Sequence, residues 1–361
     1  MVSVARLIKE MPEGYEKACF EEKAIQRKRG ITNPDDLMML SLFHLLNGCS
    51  LVEISTIASL AKLGEVSDVA FMKRFENCNS WFKHIISDLV TGGAITYRKP
   101  EWLKNYRVIA VDASDVTEKG RSGRVYRLHF ALDLFKMESL QYKITTQKEG
   151  ETLRNFKIEP NDLVIGDRIY GSLNGIDNCL NNSGNFILRL RKNSFKLYNS
   201  DGKVIDLLEN LKLLSDDDAL NLNVFAAYGK NKKIPLRICA KHKTTDAIAR
   251  TQKKLHRKES RKQTKFSDDI KEFNEYIVLV TALPDSIKAE QILELYRFRW
   301  QVEIYFKRLK TIMDFGELPK RRPESVMAWL NGKLMIALLI EKMISKTDFS
   351  PSGEWDAKYM A

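Results

Sequence analysis

The chain of 361 residues predicts an α/β layered domain preceded by an all-helical N-terminal domain. Three observations carry that expectation. Residues 1–95 show apolar positions at helical spacing, as in DDLMMLSLFHLL and SLVEISTIASLAKLG. From Tyr106 onward the pattern changes to short β-branched, apolar runs separated by turn-like segments. Late in the chain, YRFRWQVEIYFKRLK (Tyr296 to Lys310) returns to helical periodicity.

Taken in order, Ser50 and Ser67 stand where helix N-caps belong, and Gly48 and Gly64 where helices stop. The N-terminal helices read equally as a helix-turn-helix DNA reader or as a bundle that packs on the next domain. RVIAVDASDV, YRLHFALDLF, LQYKITTQKEG, LVIGDRIYGS and NFILRLRKN then read as strands, with a helix from Gly175 to Asn181 before the last of them. Asp201-Gly202 is a hairpin signal, and ALNLNVFAAYG and KKIPLRICAKH are further strands. The Lys- and Arg-dense stretch from Lys241 to Lys265 is either a solvated helical face or a nucleic-acid contact. EYIVLVTAL returns to strand character before the late helix. The resulting division is 1–95 helical, 96–191 first core part, 192–275 β-rich insertion with the basic segment, 276–345 second core part and 346–361 a short tail.

A net charge of +12 favours a polyanionic partner, while 29% charged and 44% hydrophobic residues give an ordinary globular balance. No apolar run reaches spanning length, and no secretory signal is present at the start. The five cysteines include no C-x-x-C pair, which argues against a zinc site or disulfide framework and fits a reducing cytoplasm. His129, in an apolar segment, reads as a satisfied core histidine.

The chemistry concentrates in acids and cations. Asp112 and Asp167 each close an apolar strand run, and strand ends of an open sheet are where side chains converge on a crevice. Asp115 and Asp133 compete with Asp112; the former reads as a turn or cap residue and the latter as a residue inside a strand. In the late helix, Tyr296, Arg299, Glu303, Lys307 and Lys310 fall at steps of three and four, stacked on one face, with Val302, Phe306, Leu309 and Met313 on another. Three carboxylates form a hard oxygen site of the kind Mg²⁺ prefers. By periodicity alone the same face is a solvent-exposed ion-pair ladder.

The spacing Y-x2-R-x3-E-x6-K (Tyr296, Arg299, Glu303, Lys310) resembles the C-terminal signature of the insertion-sequence-4 (Tn5-type) family of DDE transposases, and Trp300 and Lys307 look like that family as well. The resemblance spans residues 100 to 345 and implies an RNase H-like catalytic domain with a mostly β insertion between the second Asp and the Glu. It implies Asp112, Asp167 and Glu303 as the catalytic, metal-binding triad, with two Mg²⁺ or Mn²⁺ ions per site. It implies Tyr296, Arg299, Lys307 and Lys310 as contacts to DNA phosphates, and Arg168 and Tyr170, which follow the second acid in the family's D-R-x-Y pattern, as further DNA-binding residues. Trp300 either stacks on a displaced base or caps the core. The implied activity is that of a bacterial, cytoplasmic, nucleoid-associated transposase. It would bind terminal inverted repeats, cleave DNA with metal-activated water and join the 3′-hydroxyl to target DNA, working as a homodimer in the synaptic complex and without a membrane partner. The alternatives are a catalytically inactive, transposase-derived DNA-binding protein and a metal-dependent nuclease without strand transfer.

Overall fold

A computed structural model describes residues 4–27, 29–90, 99–118, 124–136, 138–146, 148–215, 218–229, 232–304, 307, 317–318 and 322–345. Five helices come first: α1 (Val4–Lys9), α2 (Tyr15–Glu21), α3 (Pro34–Leu46), α4 (Leu51–Leu60) and α5 (Asp68–Val90). Their ends follow local chemistry. Asn33 caps α3 ahead of Pro34, and Ser50 and Glu53 close a reciprocal capping box on α4. The Ser67 hydroxyl accepts from the Ala70 N–H at the start of α5. Gly48 and Gly64, at φ +68° and +144°, take backbone positions that side chains disfavour.

The strands are β1 (Arg107–Glu118), β2 (Arg124–Asp133), β3 (Glu138–Thr146), β4 (Asp162–Gly166), β5 (Asn185–Arg189), β6 (Leu197–Tyr198), β7 (Ala219–Tyr228), β8 (Lys232–His242), β9 (Tyr276–Thr281) and β10 (Glu317–Leu318). Between them lie α6 (Leu173–Asn181), α7 (Leu207–Lys212), α8 (Thr245–Lys262), α9 (Asp268–Phe273) and α10 (Ala289–Arg297), and α11 (Pro323–Ser345) ends the described chain. The strands join one mixed sheet in the order β3-β2-β1-β4-β5-β9-β8-β7-β6, with β10 beside β1. The segment read as an insertion therefore adds its strands to the same sheet beyond β9, and it carries α7, α8 and α9 as well.

Period-two alternation positions both faces of this sheet. Val108 and Ala110 belong to one buried cluster, Ile109 and Val111 to the other. The first cluster is continuous with the N-terminal helices and with α11, through Leu37, Phe71, Trp81, Trp329, Leu334 and Leu338. Helix α5 packs along α11, where Asn331 Nδ2 donates to Asn79 Oδ1 at 2.7 Å. The N-terminal helices thus share a core with the sheet. No described helix is long and apolar enough to cross a membrane.

Two local expectations are revised, for Asp115 and for the late helix, while Asp133 does lie in a strand. Asp115 lies within β1, not in a turn, and pairs with Arg127 at 3.0 Å. Asp133 is the buried last residue of β2, and its Oδ1 accepts from the N–H groups of Phe135 and Lys136. The late helix is interrupted: α10 stops at Arg297, Phe298 and Arg299 form a turn, and helix resumes over 300–304. The cause is burial of both Tyr296 and Phe298. Two positions apart on a regular helix they would point roughly 160° away from each other, so the chain tightens through i→i−3 bonds at Phe298, Arg299 and Gln301. Lys310, Phe306, Leu309 and Met313 lie outside the described residues, as does the 346–361 tail.

Candidate active site

Strands β1 and β4 run parallel, and their last pair is Ala110↔Ile165. Two residues further along each chain stand Asp112 and Asp167. Asp112 is carried by the continuation of β1 against β2, opposite Phe130, and Asp167 directly follows β4. β1 therefore does not end at Asp112, as the sequence suggested, but its pairing with β4 ends two residues before it, at Ala110. β5 is parallel to β4 and ends at Arg189; β8 is antiparallel to β9, as β5 is, and Lys243 follows its end. Asp112, Asp167, Arg189 and Lys243 consequently lie along one edge of the sheet, at strand carboxyl ends, where α/β sheets bind ligands.

Arg299 is the cation that the three predicted acids share. Its Nη2 donates to Glu303 Oε1 at 2.5 Å, and its charge bears on Asp112 and on Asp167. Burial opposes the guanidinium charge, but Tyr296, Glu303 and Asp167 together hold its pKa above the usual arginine value. Asp112 is pushed up to about 6, chiefly by burial and further by the Glu303 and Glu151 charges; the Ala113 N–H, 2.8 Å from Oδ1, and Arg299 act in the opposite sense. A carboxylate desolvated among other carboxylates is a site short of positive charge.

The other predicted residues divide by burial. Tyr170 is wholly buried, its ring 6.3 Å from that of Phe156, and its hydroxyl finds no hydrogen-bond partner among the described residues. It lies inside the core rather than turned outward as a DNA contact would be, and the Asp112 and Asp167 charges bear on it. Tyr296 is also buried, under the Arg299 guanidinium at 5.9 Å. Trp300 is half-buried, and Lys307 and Glu303 are exposed. Arg168 donates to Asn274 Oδ1 at 2.7 Å, and burial with the neighbouring Arg189 and Arg191 charges brings its pKa down to about 10.

The family model described as Transposase DDE domain matches residues 103–339, the span that carries the acid edge, Arg299 and Glu303. The chain belongs to the DDE transposase family. Among its relatives, InsL of insertion sequence element IS186A from Escherichia coli strain K12 is 27% identical over 358 residues, covering 96% of this chain and 95% of InsL. The transposase for insertion sequence element IS421 from Escherichia coli is likewise 27% identical, over 359 residues, with 96% and 95% covered. The transposase for IS231F from Bacillus thuringiensis subsp. israelensis is 23% identical over 372 residues, covering 93% of this chain and 78% of that protein.

In this DDE transposase family member the structure adds residues that sequence spacing did not single out. Glu151, on the connection after β3, pairs with the buried Arg127 at 3.5 Å and places a further negative charge near Asp112 and Tyr170. Arg189, Lys243 and Asn274 join Arg168 on the other side of Asp167. The basic character of NFILRLRKN and of the stretch from Lys241 to Lys265 hinted at Arg189 and Lys243, and nothing in the spacing hinted at Asn274. The donor set, all carboxylate oxygen, suits a hard divalent cation. Of the three acids, Glu303 alone has a hydrogen bond to Arg299, and among the described residues no three His, Cys, Asp or Glu side chains gather closely enough to hold an ion. Loading a metal through all three acids therefore requires Glu303 to leave Arg299.

Proposed function

We propose that this protein is a DNA transposase of an insertion element, of the insertion-sequence-4 type, with an RNase H-like core. It binds the element's terminal inverted repeats, cleaves DNA and joins the freed 3′-hydroxyl to target DNA. The observation that supports the reading is that Asp112 and Asp167 lie two residues beyond the last β1–β4 pair on one sheet edge, within a matched DDE domain whose Arg299 pairs with Glu303 and bears on both acids. The near full-length likeness to the IS421 transposase supports the whole-chain activity.

Asp112, Asp167 and Glu303 hold Mg²⁺ or Mn²⁺, two ions per site in this reading. Such ions supply a hydroxide nucleophile at neutral pH and offset charge on the scissile phosphate. Arg299, once released from Glu303, is free to grip a phosphate oxygen, and Tyr296 beneath it fixes the height of the guanidinium. Lys307 and Lys310 extend that cationic face, and Trp300 offers a stacking surface for a displaced base. Double-stranded DNA is the partner, a homodimer pairs the two ends, and a bacterial cytoplasm is the compartment.

The test is strand transfer on DNA that carries the element ends, with Mg²⁺ or Mn²⁺. Joined product should form with the wild type and fall by about a hundredfold or more in Asp167→Asn and Glu303→Gln. Unimpaired joining by either variant contradicts the triad. Cleavage without joining assigns a nuclease instead.

A further inference from the structure

Helix α8 is an 18-residue helix with no buried residue. It touches the body through a half-buried face of Ala247, Ile248, Thr251, Leu255 and Glu259. Beside that face, Arg250, Lys254, Arg257 and Arg261 follow at intervals of four, three and four, so they share one side over roughly 16 Å. Of its two acids, Asp246 stands one turn before Arg250 at the start of the stripe, and Glu259 accepts from the Phe266 N–H at 2.8 Å on the packed side. Among the described residues, none of the four cations forms an ion pair with an acid; Arg250 Nε donates only to the Asp246 carbonyl.

A solvated charge ladder alternates sign at i,i+4, because like charges there repel. Here Arg250/Lys254, Lys253/Arg257, Lys254/Lys258, Arg257/Arg261 and Lys258/Lys262 are all like-charged. Only an external polyanion turns that repulsion to advantage. The stripe also has a direction. Lys254 bears on Lys243, whose ammonium donates to the Asn274 carbonyl and, at 3.3 Å, to Thr251 of α8. Asn274 in turn accepts from Arg168 beside Asp167. A chain of cations thus runs from the second acid to the far end of α8.

The geometry points to α8 as an arm that holds the phosphate backbone of duplex DNA leading away from the acid site, with Arg250, Lys254, Arg257 and Arg261 as contacts and Lys243 as the joint. The inference rests on the DNA-transposase reading and names the surface that serves it. Duplex DNA is favoured over an anionic lipid surface because α8 turns no large apolar side chain outward.

The probe is a fluorescent duplex of arbitrary sequence, about 40 base pairs, titrated by anisotropy between about 50 and about 200 mM salt. The fourfold variant Arg250→Gln, Lys254→Gln, Arg257→Gln and Arg261→Gln keeps helix-compatible, exposed side chains. A charge-matched control replaces Lys17, Lys104, Lys157 and Lys212, each paired with an acid, by Gln. The stripe variant should bind at least about tenfold more weakly, with its log K against log salt slope smaller by about three to four, while the control stays close to wild type. A stripe variant equal to the control overturns the assignment of α8 and leaves the DNA reading intact. A wild type with flat salt dependence sinks the DNA reading itself. Binding of phosphatidylserine vesicles that is lost with the stripe, with duplex binding unchanged, also overturns the proposal.

Discussion

At the scale of single residues, the sequence singled out Asp112, Asp167, Glu303 and Arg299 but not how they stand toward one another. Asp112 and Asp167 were legible because apolar strand runs end in acid. Glu303 and Arg299 were legible from their spacing. Glu151 was not, because it lies in a connection without periodicity and its meaning depends on Arg127 and Asp112, distant in sequence. His129 shows the opposite case, a residue read correctly as core. It is fully buried, with Nε2 2.9 Å from Thr145 Oγ1, and Asn155 Nδ2 lies 3.3 Å from Nδ1. Burial, with the Arg127 and Lys143 charges, brings its pKa down to about 4 against Glu149 and Asp115. Between about pH 6.5 and 4 the unfolded chain binds the proton and the folded one does not, so this residue makes stability fall as pH falls. Asp112, pushed up to about 6, contributes in the reverse sense, so the effect is read as a difference between proteins. Urea unfolding at pH 7.5 and pH 5 should show wild type losing about 2 kcal/mol more than His129→Gln over that interval. Parallel losses would mean that His129 is not held neutral by the fold.

At the scale of elements, capping chemistry was readable in detail and tertiary demands were not. Ser50 with Glu53, and Ser67, stand where local rules put them. The break at Phe298 and Arg299 was invisible to periodicity because it arises from burying Tyr296 and Phe298 together. That break has a functional side. It gives Arg299 a non-helical backbone between two helical pieces, with Glu303 on the second of them. A second element-scale feature is the close passage of two connections. A Cβ on Gly64, at φ +144°, would lie 2.8 Å from the Gly30 carbonyl oxygen, whereas one on Gly48 would meet nothing within 4 Å. Gly64→Ala should therefore cost about 2–3 kcal/mol in thermal or urea unfolding, and Gly48→Ala only about 1 kcal/mol, its left-handed backbone alone. Equal losses would show that the connections separate freely.

At the scale of the whole molecule, the α/β class and most strand positions were present in the sequence, and the pairing order was not. Local patterns specify strands; they do not say that β8 and β7 extend the sheet beyond β9, nor that α5 packs along α11 in a core shared with the first helices. Those contacts join segments far apart in the chain. One consequence is that the strand preceding the basic helix, β8, belongs to the same sheet as the acid edge, and in the proposed reading a bound duplex runs from Asp167 toward α8. The central claim is that Asp112, Asp167 and Glu303 form one metal-loading centre, with Glu303 now paired to Arg299. Anomalous diffraction from crystals of the protein with duplex DNA and Mn²⁺ tests it most directly. The account predicts Mn²⁺ between the Asp112 and Asp167 carboxylates, with Glu303 turned from Arg299 to join them. Mn²⁺ bound elsewhere at saturation, with those carboxylates bare and the Arg299–Glu303 pair intact, would contradict it.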